Sequence, residues 1–320
     1  MTVDIALVVA TIGFAFVNGF NDGGALLVVG LRVRSVRPLG SLVVLAAAVV
    51  LTPLIVGTAV ATTLVARLVD LEGEQGSLAL LIAVVVSVAV SYGLARRGLP
   101  TSLTLALVGS IAGAGVGAGL AVSWVTVTVV LALAAAAPTA GLVLGWLLTK
   151  GVATLPAAKP LRGRIRLWQG VGFFLLCLAY GANDGQKMLA VAAVTFTSVH
   201  GVVEPTIGVL LLIGVIFFVG SAAGLPRFVR TLGGGVAPLQ PTDAVISQFS
   251  AASVVLSTAA LGAPVSMTQS ISGTLVGVAL PRGPGSVRWP AAMQIGVAWL
   301  VTLPLSLGLA AATAFAIDRF

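Results

Sequence analysis

The sequence predicts an all-α polytopic membrane protein. It is expected to comprise two inverted-topology repeats of about five apolar helices each, with broken helices and short segments that admit a re-entrant hairpin. Three observations carry that expectation. First, 58% of the residues are hydrophobic and 8% are charged, whereas soluble domains carry about 25% charged residues. The mean hydropathy is +1.15. Second, ten apolar stretches near spanning length follow one another, five on each side of a basic stretch. Third, two unrelated motifs each occur twice at nearly one offset. Asn21-Asp22 and Asn183-Asp184, both followed by glycine, lie 162 residues apart. LPTSLTLALVGSIAGAG from Leu99 and APVSMTQSISGTLVGVA from Ala263 align at an offset of 164. That alignment sets Pro100 on Pro264, Ser102 on Ser266, Thr104 on Thr268, Gly109 on Gly273 and Gly113 on Gly277.

The composition also excludes several classes. A net charge of +8 would suggest a nucleic-acid partner in a soluble protein; here it reads as loop charge that sets orientation. The single cysteine, Cys177, permits no internal disulfide and reads as a small core residue. The N-terminus MTVD lacks a basic n-region, so no cleavable signal peptide is expected. No metal cluster, nucleophile triad or phosphate-binding P-loop is present in the sequence. An enzyme is therefore not expected, nor a cofactor beyond a coupling ion.

The first repeat is assigned to 1–149, with apolar stretches at 5–31, 39–66, 77–95, 102–120 and 122–149. The 5–31 stretch carries Asn21-Asp22 in its middle. The 102–120 stretch, like 265–280 in the second half, is short and rich in Gly, Ser and Thr, so each is either a span or a re-entrant piece. A basic cytoplasmic linker, 150–167, follows. It contains Lys150, Lys159, Arg162, Arg164 and Arg166, with Pro156 and Pro160 as breakers. The second repeat, 168–320, has stretches at 168–199, 204–224, 243–262, 265–280 and 289–317. The 168–199 stretch holds Gly181-Ala182-Asn183-Asp184-Gly185-Gln186-Lys187. Its two glycines weaken the helix, which predicts a break there. Freed backbone groups at that depth need a cavity or other protein to satisfy them.

Positive charge sets the topology. If alternate gaps face opposite sides, one side collects fourteen of the 17 Lys and Arg. These are Arg32, Arg34, Arg37, Arg96, Arg97, Lys150, Lys159, Arg162, Arg164, Arg166, Arg227, Arg230, Arg282 and Arg288. The other side holds Arg67 and Arg319 along with Asp70, Glu72 and Glu74. The first side is then cytoplasmic and both termini face out, in the plasma membrane. An odd number of crossings per repeat inserts the second half upside down, so Asp22 and Asp184 approach one midplane site from opposite leaflets. Arg96 and Arg97 are read as cytoplasmic loop residues. The alternative is a pair of anion-attracting charges at a cavity mouth.

Ionisable residues at membrane depth are site candidates by default. Thr101, Ser102 and Thr104 open one Gly-rich helix, and Ser266, Thr268, Gln269 and Ser270 open its repeat mate. Helix N-termini gather free N–H groups and the positive end of the dipole, which suits an anion. Hydroxyls add neutral donors around a tetrahedral oxyanion. The plainer role for the same hydroxyls is helix capping or helix–helix contact. Asp22 and Asp184 cannot attract an anion directly. Together with Asn21 and Asn183 they suit a hard cation, Na⁺, or else carry H⁺. Lys187 either neutralises a carboxylate or reaches the anion. Gln248 is a weaker candidate, and His200, beside Glu204, reads as a solvated loop residue.

With these residues in view, the chain resembles the inorganic phosphate transporter (PiT) family of cation-coupled symporters. GANDGQK looks like the family signature in its bacterial form. APVSMTQSISGTLVGV is similar to the family's second hairpin motif, and LPTSLTLALVGSIAGAG to the first-half copy. The resemblance covers nearly the whole chain. It implies a phosphate site between the repeats, with hairpin Ser/Thr on phosphate oxygens and the motif Asp and Asn serving cation and substrate. It also implies a homodimer in the lipid bilayer. Two departures stand out. GFNDGGALLVVG lacks a second asparagine after Asp22, and Leu105 or Gln269 stands near the place of a histidine that often closes the hairpin motif. They leave Na⁺ and H⁺ coupling both open. The alternatives are a sulfate permease of the same fold and a transport-dead oxyanion sensor.

Overall fold

The computed structural model describes residues 2–23, 26, 38–96, 101–154, 159–196, 202–231 and 240–317. Arg32, Arg34, Arg37, Arg97, His200 and Arg319 lie outside the described residues, as do the side chains of Arg96, Lys159, Arg162, Arg227 and Arg230. No β-strand occurs among the described residues. The first repeat contains α1 (Thr2–Asn18), which runs into a π-helical segment at Gly19–Gly23. Next come α2 (Pro38–Val56) and the short α3 (Ala59–Thr62), itself continued by a π segment at Thr63–Arg67. α4 (Gly73–Arg96), α5 (Leu103–Gly117) and α6 (Trp124–Ala153) complete it. The second repeat contains α7 (Lys159–Tyr180), a π segment at Gly181–Gly185 and α8 (Gln186–Phe196). α9 (Ile207–Thr231), α10 (Pro241–Ala260), α11 (Met267–Ala279) and α12 (Trp289–Ile317) follow.

Among the described residues, eight helical segments are long and apolar enough to cross a membrane. The outward side chains are apolar as well: Ile55, Val125 and Leu300 are about three-quarters exposed. That surface suits hydrocarbon rather than water. Two of the ten expected stretches are not of spanning length. α5 has 15 residues and α11 has 13. At about 1.5 Å per residue they measure about 23 and about 20 Å, short of the roughly 30 Å hydrocarbon layer.

Each short helix pairs with the helix before it, α5 with α4 and α11 with α10. Contacts near the base hold each hairpin together. Val69 and Val122 bridge across the start of α4 and the end of α5, and the Ser123 amide donates to the Leu68 carbonyl at 3.0 Å. At the other hairpin, Arg282 Nη1 pairs with Asp243 Oδ2. That carboxylate also accepts from the Gln240 amide at 2.9 Å, capping α10.

The two halves exchange equivalent helices. α5 lies along α12, and its counterpart α11 lies along α6. α1 and its π segment pack on α9, while α7 and its π segment pack on α2. Glycine permits the close approach. A methyl at Gly113 would meet the Leu307 backbone, with Cα at 2.9 Å, and a methyl at Gly277 would meet Leu142 Cα at 2.9 Å.

Two expectations change in detail. The 39–66 stretch is not one helix: Gly57, at φ +89, takes a left-handed conformation and ends α2. The expected linker 150–167 is mostly helical. Lys150 lies in the last turn of α6 and α7 begins at Lys159.

Candidate functional site

The break expected at the Asn-Asp motif takes the form of a π turn rather than a loop. Gly181–Gly185 carries the chain from α7 into α8 without leaving helical geometry. A π turn holds i→i+5 hydrogen bonds and often marks a functional site. Asn183, Asp184, Gln186 and Lys187 are all at least 98% buried. A buried charge must be paired. Lys187 Nζ lies one turn beyond Asp184 and donates to its Oδ1 at 2.7 Å.

The same ammonium reaches both hairpin tips. It donates to Thr104 Oγ1 at 2.6 Å and to the Val265 carbonyl at 2.5 Å. Thr104 Oγ1 in turn donates to the Val265 carbonyl at 3.4 Å. Thr104 sits in the first turn of α5, whose N-cap Ser102 accepts from the Leu105 amide at 3.2 Å. Val265 precedes Ser266, the N-cap of α11, which accepts from the Gln269 amide at 3.4 Å. Two helix N-termini from different repeats therefore meet on one lysine.

The other candidate residues divide into those engaged by their own hairpin and those left open. Ser266 and Thr268 share a hydroxyl contact of 2.8 Å, and Ser270 donates to the Ser266 carbonyl at 3.2 Å. Thr101 is half-buried and donates to the Ser91 carbonyl at 3.4 Å. Asn183 donates through Nδ2 to the Ala263 carbonyl at 3.2 Å, beside the second tip. Its Oδ1 is buried with no protein partner, as are Asp184 Oδ2 and Gln269 Oε1. Both amide atoms of Gln248 in α10 are in the same state. Buried polar atoms are normally satisfied, so such a group points to an ion, water or ligand. Asn21 and Asp22 are half-buried. Tyr180 donates to Asp22 Oδ2 at 3.4 Å, which ties the first motif to the second.

Na⁺ takes oxygen ligands. Asn183 Oδ1 and Asp184 Oδ2 fit that need. Asp184 Oδ1, Thr104 Oγ1 and the Val265 carbonyl are oxygens of the right kind, but Lys187 already holds them.

Sequence reasoning missed three contributors. Gln186 Oε1 accepts from the Val60 and Ala61 amides at 2.8 and 3.2 Å, so it caps α3 from a distance. Its place inside the polar run was the available signal. Tyr180, last in an apolar run, and the Val265 backbone carbonyl carried none.

The profile of the phosphate transporter family matches residues 18–169 and again residues 158–310. The chain belongs to the phosphate transporter family. The double match agrees with two copies of one plan, and the family is one of transporters rather than enzymes. The chain is 31% identical to a probable low-affinity inorganic phosphate transporter of Mycobacterium leprae, over 97% of this chain and 77% of that one. It is 26% identical to a probable low-affinity inorganic phosphate transporter of Bacillus subtilis, over 98% of this chain and 97% of that one. A solved structure described as the sodium-dependent phosphate transporter superposes over the full length of both chains with a TM-score of 0.85, at 19% identity. That likeness is one of fold.

Proposed function

We propose that this chain moves inorganic phosphate across the plasma membrane by secondary active symport, coupled to Na⁺ or H⁺. The observation that carries this reading is the meeting of the α5 and α11 N-termini beside Asp184 and Lys187. Opposed helix N-termini concentrate N–H donors and positive dipole where an anion can bind. Ser102, Thr104, Ser266 and Thr268 supply hydroxyls around the same point, with Thr101, Gln269 and Ser270 at the two tips. Phosphate can also donate a hydrogen bond, and the open acceptors Asn183 Oδ1, Asp184 Oδ2 and Gln269 Oε1 suit a donor. Sulfate at neutral pH has no proton to give them. The coupling ion is assigned to Asn183 and Asp184, with Asn21 and Asp22 as the first-repeat counterparts. The odd parity of crossings in each repeat supports opposite insertion of the repeats and termini on one side, and the distribution of Lys and Arg makes that side external. Counting each hairpin as two spans or as none leaves an odd number per repeat. A homodimer remains part of this proposal.

Uptake of labelled phosphate into proteoliposomes tests it. Accumulation driven by an inward Na⁺ or proton gradient is expected, with weaker inhibition by sulfate than by unlabelled phosphate. Binding of phosphate without flux, under either gradient, would reject transport.

A further inference from the structure

Lys187 is held by the kinds of ligand that a free monovalent cation would gather. Its Nζ donates to a carboxylate oxygen of Asp184, the hydroxyl of Thr104 and the backbone carbonyl of Val265, at 2.7, 2.6 and 2.5 Å. An ammonium has three N–H donors and no acceptor, so each donor is matched to one oxygen. A neutral amine has only two N–H groups and could not serve three acceptors. The oxygens come from three separate elements: the π segment, the first turn of α5, and the residue before the α11 cap. Lys187 is 2% exposed, so its charge is sequestered with these partners.

The position is otherwise hostile to a cation. The positive dipole ends of α5 and α11 face it. The Asp184 carboxylate, aided by the charge of Asp22, offsets that, and the hydroxyl and carbonyl complete the shell. Without the lysine side chain, Asp184 Oδ1 would be a buried charge with no partner, flanked by two further oxygens.

We propose that Lys187 is a built-in cation. It stands where a free Na⁺ would otherwise bridge Asp184 to the two hairpin tips. This part of the site then assembles without Na⁺, and any coupling ion is left to the remaining acceptors, Asn183 Oδ1, Asp184 Oδ2 and Asp22. The proposal rests on reading the cluster as the site of a cation-coupled transporter.

Lys187→Met removes the ammonium and keeps much of the apolar stem. The protein is purified in detergent without phosphate, and radiosodium bound per chain is measured by equilibrium dialysis. The variant is expected to bind one more Na⁺ than the wild type. Its Tm should rise more than that of the wild type when NaCl replaces choline chloride. Adding Thr104→Val should remove the extra ion. Lys187→Ala serves as a second, smaller variant in case the methionine fills the space itself. Folding of either variant only in the Na⁺ salt would support the proposal. Equal Na⁺ counts in the wild type and both folded variants would overturn it. So would failure of both variants to fold in either salt, because Na⁺ should then replace the ammonium. Neither readout involves phosphate, so uptake by the wild type judges the transport reading separately.

Discussion

Ser102 and Ser266 show how one hydroxyl can serve both stability and binding. Each oxygen accepts from a backbone amide of its own helix, which leaves the Ser102 hydroxyl proton available to an anion, and the Ser266 proton too when Thr268 is the donor in the contact they share. Replacing either serine by alanine should cost about 1 kcal/mol of stability through the lost cap. It should also weaken phosphate binding roughly ten- to a hundredfold, since a hydrogen bond to a charged group is worth about 1.5–3 kcal/mol. Glycine separates the two effects, because glycine caps nearly as well. Ser102→Gly and Ser266→Gly should keep their Tm within a degree or two and still lose phosphate affinity in a calorimetric titration. Wild-type affinity in the glycine variants would leave these residues as caps alone. The caps were legible because capping is local, set by residues three apart. The partners of Lys187 were legible only in part. Asp184 is one turn away, whereas the Val265 carbonyl is 78 residues distant and carries no side-chain signature. Gln186 was missed for a related reason. Its partner is the N-terminus of α3, which exists only because Gly57 ends α2.

At the scale of elements, spacing of apolar residues located all ten stretches but could not divide them. A helix that ends and restarts within one apolar run, as α2 and α3 do, keeps the same composition throughout. The widened turns at Gly19–Gly23 and Gly181–Gly185 were visible only as weak points, since glycine signals loss of α propensity without choosing between a loop and a π turn. What glycine does at helix contacts is more testable. Gly113 and Gly277 occupy equivalent places in the two repeats, each with partner backbone against the position a methyl would take. Gly113→Ala and Gly277→Ala should each force α5 from α12, or α11 from α6, at about 1–3 kcal/mol by overpacking. Gly308, in the middle of α12, has nothing within 4 Å of the place a methyl would occupy. Gly308→Ala should leave Tm unchanged or raise it, because alanine is favoured over glycine in a helix by roughly 0.5–1 kcal/mol. Thermal unfolding of the three variants in one detergent checks the ordering. A fall for Gly308→Ala equal to the other two would mean that helix propensity and close packing are not what separates these sites.

For the whole molecule, the exchange of equivalent helices between repeats explains why the site lies at their junction. Neither half holds the cluster alone: Thr104 comes from the first, and Asp184, Lys187 and Val265 from the second. The sequence showed the repeat through its two offsets, and bears on the orientation only through charge. Helix contacts are the same whichever end faces the cytoplasm, so surface labelling is the measurement that decides the orientation. Glu72, before α4, and Arg164, in the first turns of α7, are both exposed. Cys177 is buried, so cysteines introduced singly at 72 and 164 should dominate reaction with a membrane-impermeant maleimide. In intact cells position 72 should react at once, and position 164 only after permeabilisation. The direction follows from the concentration of Lys and Arg on the side that includes Arg164. Three, or five, crossings separate the N-terminus from Arg164, according to whether the α4–α5 hairpin re-enters or spans. Both counts are odd, so the prediction does not depend on that choice. If the two positions react from the same face, the number of crossings between them is even. The repeats would then be parallel, and Asp22 and Asp184 could not reach the junction from opposite leaflets.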